Sequence, residues 1–198
     1  MHYLETNLNS TPDIPVLGYD IKTCTFKSLK NNGKNAKERL TLTNVGNTHN
    51  YDSFKHIVDC ENFSECTYYK KSKRFILFVR GDDKIKNKTF YQLMNQPMLT
   101  ILMFNIKTLP PIMKNIITTD YKKIRNCIID KQVSQKGQQY LHIHPHGSGH
   151  GSGNRAFGFT SSFITQFVAF KLSKRYKKNI ETLIIKKGTS ISIKNRYL

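Results

Sequence analysis

A helix-like segment lies between two groups of strand-like segments, and this order constrains the fold more than any other feature. Residues 109–130, LPPIMKNIITTDYKKIRNCIID, carry apolar side chains at helical spacing, and Pro110 and Pro111 suit the first turn of a helix. Short apolar or alternating segments precede this helix, and QYLHIHP (139–145) follows it as a predicted strand. A second amphipathic helix is predicted for SSFITQFVAFKLSKRY (161–176), which opens on serine. The sequence therefore predicts a mixed α/β fold.

The strands before the first helix are predicted from the alternation of their side chains. Residues 14–26 alternate over most of their length, and RFILFVR (74–80) has the pattern of a buried strand. ERLTLTNV (38–45) alternates again, and the polar KSLKNNGKN (27–35) before it has the glycine of a turn. We therefore expect the strands at 14–26 and 38–45 to pair as a hairpin. With no internal repeat and no linker, we expect a single domain over residues 1–198.

Basic residues greatly outnumber acidic ones. The chain has 32 Lys and Arg against 13 Asp and Glu, a net charge of +19 and a pI near 9.8. Such an excess of like charge repels itself, so a polyanion is the natural partner, and nucleic acid is the first choice. The alternative is a lysine-rich surface that is merely solvated.

Several other classes of protein are disfavoured. No apolar run reaches the roughly 18 to 20 residues that a membrane helix needs, and no basic stretch followed by an apolar core marks a secretory signal. The four cysteines contain no CxxC pair, which disfavours structural zinc. We expect a cytoplasmic protein with reduced thiols and no membrane partner.

Two acids and a lysine near the start of the chain, in PDIPVLGYDIKT (12–23), form the pattern D-x6-D-x-K. Strand side chains repeat every second residue, so Asp20 and Lys22 fall on one face, and Asp13 can reach them from the preceding turn. Carboxylates bind Mg²⁺, the metal polarises a phosphoryl group, and a cation can orient water or offset developing charge. This is the PD-(D/E)xK pattern of metal-dependent nucleases. The alternative is a strand face with a salt-bridged lysine. Glu5 supplies a further acid upstream.

A histidine-rich segment, LHIHPHGSGHG (141–151), allows two interpretations. Its four imidazoles, at His142, His144, His146 and His150, are typical ligands of a transition metal. Its glycines would instead let a loop approach phosphate or base edges closely. We prefer the DNA-facing loop.

The order of these segments resembles the MutH family of mismatch-repair nicking endonucleases and the related restriction endonucleases that cut at GATC. LETNLNSTPDIPVLGYDIKT (4–23) is similar to the family's acidic stretch, and KSLKNNGKNAKERLTL (27–42) to the segment after it in the restriction enzymes. YYKKSKRFILFV (68–79) resembles a strand preceded by an active-site lysine. QYLHIHPHGSG (139–149) falls at the family's base-reading loop, and RAFGFTSSFITQFVAF (155–170) at its closing strand and helix. The resemblance implies a restriction-endonuclease-like fold, with a mixed central sheet flanked by helices.

The resemblance also implies roles for individual residues. The residues that it assigns to the metal are Asp13, Asp20 and Glu5, with Mg²⁺ as the cofactor. Lys22 would position the attacking water, and Lys71 would be the additional active-site lysine. Lys70 and Lys73 are the alternatives for the role of Lys71. The residues that the resemblance assigns to DNA are His144, Pro145 and His146, which would read bases. Arg155 and the basic run that holds Lys70 and Lys73 would also contact DNA. Asp20 stands where the relatives have glutamate. His144 stands where MutH has a basic residue, and it matches the two acceptors of guanine less well than arginine does.

We therefore predict a Mg²⁺-dependent, sequence-specific endonuclease of double-stranded DNA, acting as a type II restriction enzyme. Such an enzyme implies a cognate methyltransferase in the same system; the oligomeric state stays open. One alternative is a mismatch-repair nicking endonuclease. Another is a DNA-binding module with weakened catalysis, because only four residues precede Glu5, too few for the helices that the family carries there.

Overall fold

The computed structural model describes residues 12–82, 89, 95–147 and 152–198. The chain divides into two compact units, each built from three segments. Unit 1 takes in the described parts of 1–21, 41–76 and 104–159, and unit 2 those of 22–40, 77–103 and 160–198. Within the described ranges, no helix is both long enough and apolar enough to cross a membrane.

Among the described residues, runs of two or three consecutive strands are separated by single helices or helix pairs. The strands are β1 (Asp20–Ser28), β2 (Gly33–Ala36), β3 (Leu40–Asn47), β4 (Arg74–Gly81), β5 (Met98–Asn105), β6 (Leu141–Pro145), β7 (Asn154–Phe159), β8 (Ile184–Lys187) and β9 (Ser190–Lys194). The α-helices are α1 (Lys55–Val58), α2 (Tyr69–Ser72), α3 (Pro111–Ile129), α4 (Ser161–Tyr176) and α5 (Ile180–Leu183), and 3₁₀ turns span Tyr51–Phe54, Ile106–Thr108 and Asn195–Tyr197. The predicted mixed α/β class is confirmed.

The strands form two sheets. A six-stranded sheet has the order β5-β4-β1-β2-β9-β8, and a three-stranded sheet has the order β3-β7-β6. The pairs β1–β2, β2–β9 and β9–β8 are antiparallel, as is β6–β7. The larger sheet places β4, which follows α2, next to β1.

The predicted hairpin between 14–26 and 38–45 is wrong. Strand β1 instead turns into β2, with Phe26 opposite Ala36 and Ser28 opposite Lys34, and β3 belongs to the other sheet. The turn has Asn32 in the left-handed region, with φ of 57°, a conformation that asparagine tolerates better than most residues. The polar GKNA segment forms a strand because β1 and β9 pair with it on both sides.

Both long helices lie where the sequence predicts them. Helix α3 begins at Pro111, directly after Pro110, and buries a stripe that includes Met113, Ile117 and Ile124. Helix α4 is capped by Thr160, whose side chain accepts the Phe163 N–H at 3.2 Å. The cap therefore lies one residue before the predicted serine, and threonine serves the same purpose.

Each unit has its own apolar core. In unit 1, Phe75 and Phe104 stack with ring centroids 4.2 Å apart. In unit 2, α4 packs against β2 and β9, and the hydroxyl of Thr165 accepts the Ala36 N–H at 3.0 Å. This bond satisfies a buried backbone donor that a short strand would otherwise leave unpaired.

Candidate active site

The two acids of the D-x6-D-x-K motif lie at the base of a tight hairpin. Ile14 and Tyr19 form an antiparallel bridge, in which the Ile14 N–H donates to the Tyr19 carbonyl at 2.8 Å. The turn closes through Gly18, which has φ of 65° and therefore favours glycine. Asp13 and Asp20 thus directly flank the two paired residues, and the six residues between them fold back on themselves.

A hydrogen bond ties Asp13 to the start of β1. Its Oδ2 accepts the backbone N–H of Ile21 at 2.9 Å, so the carboxylate lies beside the strand at the residue that follows Asp20. The side chain of Asp20 is fully buried. Burial of a carboxylate is costly unless cations or hydrogen-bond donors compensate its charge.

Lys22 shares a strand face with Asp20. Along β1, Asp20, Cys24 and Phe26 are buried and Lys22 is half-buried, whereas Thr23 and Lys27 on the other face are exposed. The predicted alternation is therefore present. Burial raises the pKa of the Cys24 thiol to about 12, in keeping with an apolar environment two residues beyond Lys22.

The predicted second lysine lies on the short helix before β4. Lys71 is half-buried in α2, while its neighbour Lys70 is exposed. The helical turn is fixed by Ser72, whose hydroxyl donates to the Tyr68 carbonyl at 2.9 Å. The guanidinium of Arg74, the first residue of β4, lies 6.0 Å from the centre of the Tyr19 ring. The segment that carries Lys71 therefore reaches the hairpin that carries the acids.

The histidine-rich segment forms β6 and the turn after it. The rings of His142 and His144 are 4.8 Å apart, and those of His144 and His146 are 6.3 Å apart, so the three imidazoles form one row. His144 is only 2% exposed, and its Nε2 lies 3.3 Å from the Thr41 hydroxyl. Pro145 and His146 are exposed. The accessible end of the row is therefore His146.

The remaining predicted DNA residues flank these elements. The Arg155 guanidinium donates to the Ser152 carbonyl at 2.8 Å, and the His146 N–H donates to the Asn154 carbonyl at 3.0 Å. The bond from His146 joins the end of β6 to the start of β7. Residues 148–151, which include His150, lie outside the described residues, and so does Glu5. Lys73 is half-buried directly before β4.

Asp120, which the sequence reading missed, fixes the position of β6. Its buried carboxylate accepts the N–H groups of Gln139, Tyr140 and Leu141 at 3.0, 2.6 and 3.0 Å. Burial raises the pKa of the Asp120 carboxyl, although these three donors act in the opposite direction. The sequence does carry a signal for Asp120, because it is an acid on the apolar stripe of α3, three residues after Ile117. An acid that is buried on such a stripe needs hydrogen-bond partners.

The residues present fit Mg²⁺ better than a transition metal. Among the residues that the structure describes, no group of three or more His, Cys, Asp or Glu side chains could share a metal ion, so the row of His142, His144 and His146 gives no support to a transition-metal site. Mg²⁺ commonly takes only one or two protein carboxylates and completes its shell with water and substrate phosphate. Asp13 and Asp20 are the two carboxylates that would hold it.

A comparison with known protein families shows which family the chain belongs to. A family model described as the DNA mismatch repair enzyme MutH matches residues 3–109, just over half of the chain. The chain belongs to the MutH family. MutH-family membership supports the predicted restriction-endonuclease-like fold and identifies a DNA-binding endonuclease, a hydrolase. No curated protein matches the sequence.

The MutH-family match covers the elements that carry the candidate acids and lysines. It includes Glu5, Asp13, Asp20, Lys22 and Lys71, and it ends at Leu109, two residues before α3 begins. The β6–β7 hairpin and the C-terminal helices and strands lie beyond it.

Proposed function

We propose that this protein is a Mg²⁺-dependent endonuclease that hydrolyses double-stranded DNA at a short specific site. The observation that carries the proposal is the hydrogen bond from Ile21 N–H to Asp13 Oδ2 at 2.9 Å. It holds the first acid beside the strand that starts with the second acid and continues to the lysine. Family membership over residues 3–109 supports the same reaction class.

The two carboxylates would hold the metal. Asp13 is oriented by the Ile21 amide. Asp20 is enclosed by protein, so its carboxylate would have to become accessible at the start of β1 for a cation to bind it. When bound, Mg²⁺ would polarise the scissile phosphoryl group and favour ionisation of an attacking water. Glu5, outside the described residues, would supply a third carboxylate.

The two lysines would act on water and phosphate. Lys22 shares the strand face of Asp20, so its ammonium group can orient the attacking water near the acids. Lys71, on the helical turn before β4, would offset the charge that develops on the scissile phosphate. Fixed cations of this kind stabilise a transition state because they need no reorganisation during the reaction.

The β6–β7 turn would read the DNA sequence. Pro145 and His146 are exposed at its start and can enter the major groove. The resemblance implies the same role for His144, but this side chain is only 2% exposed, so it would support the turn from inside and would not touch bases. Arg155, Lys70 and Lys73 would contact phosphates, which fix the orientation of the protein on the duplex without reading sequence.

We favour a restriction role over mismatch repair. Residues 27–42, which form the end of β1, β2 and the start of β3, resemble the restriction enzymes of the family, and this role implies a cognate methyltransferase. The description of the matching family model supports the second candidate, a mismatch-repair nicking endonuclease. The two candidates differ in their product, because a restriction enzyme cuts both DNA strands and a nicking endonuclease cuts one.

The test is cleavage of supercoiled plasmid, methylated and unmethylated, by the full-length protein with Mg²⁺, beside Asp20→Ala. The proposal predicts discrete linear fragments on unmethylated DNA, loss of cleavage in the variant, and unchanged DNA binding. Open circles that are never linearised would favour nicking and mismatch repair. Equal cleavage by the wild type and Asp20→Ala would refute the metal-site assignment, and binding without cleavage would leave a DNA-binding module.

A further inference from the structure

Positive charge is concentrated at the C-terminal end of unit 2. Residues 171–198 contain nine Lys and Arg and one acid, Glu181, whereas the other 170 residues contain twenty-three and twelve. Glu181 is already paired, because its Oε1 lies 3.0 Å from the Lys186 ammonium. This part of the chain therefore carries far more positive charge than its own acid can offset, and it lies beyond the family match.

Part of this charge lines a concave surface. Two depressions of about 550 and 220 Å³ share Ile185 as a wall residue, and they lie between the β1–β2 turn and strands β8 and β9. The cations of this basic groove are Lys30, Lys187, Lys194 and Arg196. None of the described residues that line it is acidic, and Asn31, Ser190 and Ser192 add polar groups that can bond to an anion.

A simpler explanation covers only some of these residues. Edge strands commonly carry lysines that prevent pairing with another sheet, and Lys187 lies on the edge strand β8. Lys30 belongs to a turn, however, Lys194 to the inner strand β9, and Arg196 to the terminal 3₁₀ turn. The guanidinium carbon of Arg196 lies 5.0 Å from the centre of the Tyr197 ring. Edge protection does not explain why a turn, two strands and the terminal 3₁₀ turn bring cations to these two adjoining depressions, which have no acid among their described lining residues.

We propose that the basic groove binds the phosphate backbone of double-stranded DNA and adds affinity that does not depend on the metal-binding acids. The identity of this partner rests on the proposed endonuclease function, because duplex DNA is then the polyanion that the protein must hold. Lysine and arginine at such a surface release counterions from DNA, so each contact contributes to the salt dependence of binding. The groove reads no sequence and raises the affinity for all duplexes alike.

The test compares two triple variants of the full-length protein that lose the same charge. Lys30→Gln, Lys187→Gln and Arg196→Gln together remove three cations of the groove, and Lys194 is kept because its ammonium bonds to the Thr182 carbonyl. Lys55→Gln, Lys122→Gln and Lys136→Gln together remove three exposed lysines of unit 1. Fluorescence anisotropy with a labelled 30-base-pair duplex, without Mg²⁺, gives Kd over a series of salt concentrations.

The proposal predicts that the groove triple lowers the slope of log Kd against log salt by about 2 to 3, since each phosphate contact contributes about 0.9. The unit 1 triple should change it by less than about 1. The charge-conserving triple Lys30→Arg, Lys187→Arg and Arg196→Lys should restore the slope. Equal slopes for the two Gln triples would overturn the proposal. The proposal would also be overturned if the groove triple kept its DNA binding but no longer floated with phosphatidylserine vesicles. That result would assign the groove to a membrane surface.

A plasmid cleavage assay distinguishes failure of the groove proposal from failure of the proposed endonuclease function. If the wild type cuts plasmid but the groove triple binds DNA normally, the endonuclease stands and the groove proposal fails. If the wild type cuts nothing but the slope falls only in the groove triple, the groove stands and the endonuclease proposal fails.

Discussion

The backbone N–H of Ile21 donates to the side chain of Asp13 across the hairpin that separates the two candidate metal acids. The same carboxylate therefore closes the hairpin and faces the start of β1. The hydrogen bond engages one oxygen of this carboxylate, Oδ2. The structural role of Asp13 and its proposed metal-binding role can be separated by mutation.

Asp13→Asn should abolish cleavage while keeping the fold, because an amide oxygen can still accept the Ile21 N–H but lacks the charge that Mg²⁺ needs. Cleavage should fall by more than about 100-fold, since even groups that only orient metal ligands are worth 10- to 100-fold. Asp13→Ala should lose cleavage and also about 1 kcal/mol of unfolding free energy, the usual net value of one hydrogen bond. Plasmid cleavage and urea unfolding measure the two effects. An active Asp13→Asn enzyme would remove Asp13 from the metal site.

Lys70 and Lys71 offer a matched pair, because they are adjacent, have the same charge and differ in exposure. Lys71→Ala should slow cleavage under saturating conditions by about 10²- to 10³-fold, the usual cost of one transition-state contact. Lys70→Ala should leave that rate within about threefold and lower the salt slope of binding by about 1. Single-turnover cleavage and anisotropy distinguish these effects. The reverse pattern would assign the catalytic lysine to position 70.

Local sequence was a good guide where an element is specified by its own residues. The double proline and the apolar stripe of α3 place this helix at Pro111–Ile129, within two residues of the predicted 109–130 at either end. The alternation at Asp20, Lys22 and Cys24 likewise predicts the shared face, because it follows from strand geometry alone. Asp13 could also be expected near β1, because the six residues between Asp13 and Asp20 suffice for a tight hairpin.

Local sequence failed where distant partners decide the structure. Strand β2 has no apolar alternation; it exists because β1 and β9 pair with it, and β9 lies more than 150 residues later. His144 alternates like an exposed residue, yet it is buried beside Thr41 of β3. Neither contact leaves a pattern in the neighbouring residues, so only the folded chain reveals them.

Cys24 reports on the strand face that carries Asp20 and Lys22. The residue is 7% exposed, and burial raises the pKa of its thiol to about 12, so this thiol should resist iodoacetamide in native protein at pH 8.5. Cys60 and Cys127 are half-buried and should react first; peptide mass spectrometry after timed alkylation measures the order. Because the fold favours the neutral thiol, the contribution of Cys24 to the unfolding free energy is full below its ordinary pKa of 9.0 and is lost as pH rises towards 12. Early labelling of Cys24 in folded protein would contradict the inward orientation of this face.

His144 and His146 belong to one row of rings but should behave differently when replaced. His144→Ala removes a buried ring near the Thr41 hydroxyl and should lower the unfolding free energy by about 1 to 3 kcal/mol. His146→Ala removes an exposed side chain, so the free energy of unfolding of this variant should stay within about 0.5 kcal/mol of the wild type.

His146→Ala should also show whether His146 reads a base. If it does, this variant should bind its cognate duplex about tenfold less tightly, with unchanged binding to a scrambled duplex. The cognate site is obtained by sequencing the ends of plasmid fragments, and anisotropy with the two duplexes measures the ratio. A stable His144→Ala protein that loses discrimination, beside a His146→Ala protein that keeps it, would assign base reading to the buried histidine and require β6 to rearrange on DNA.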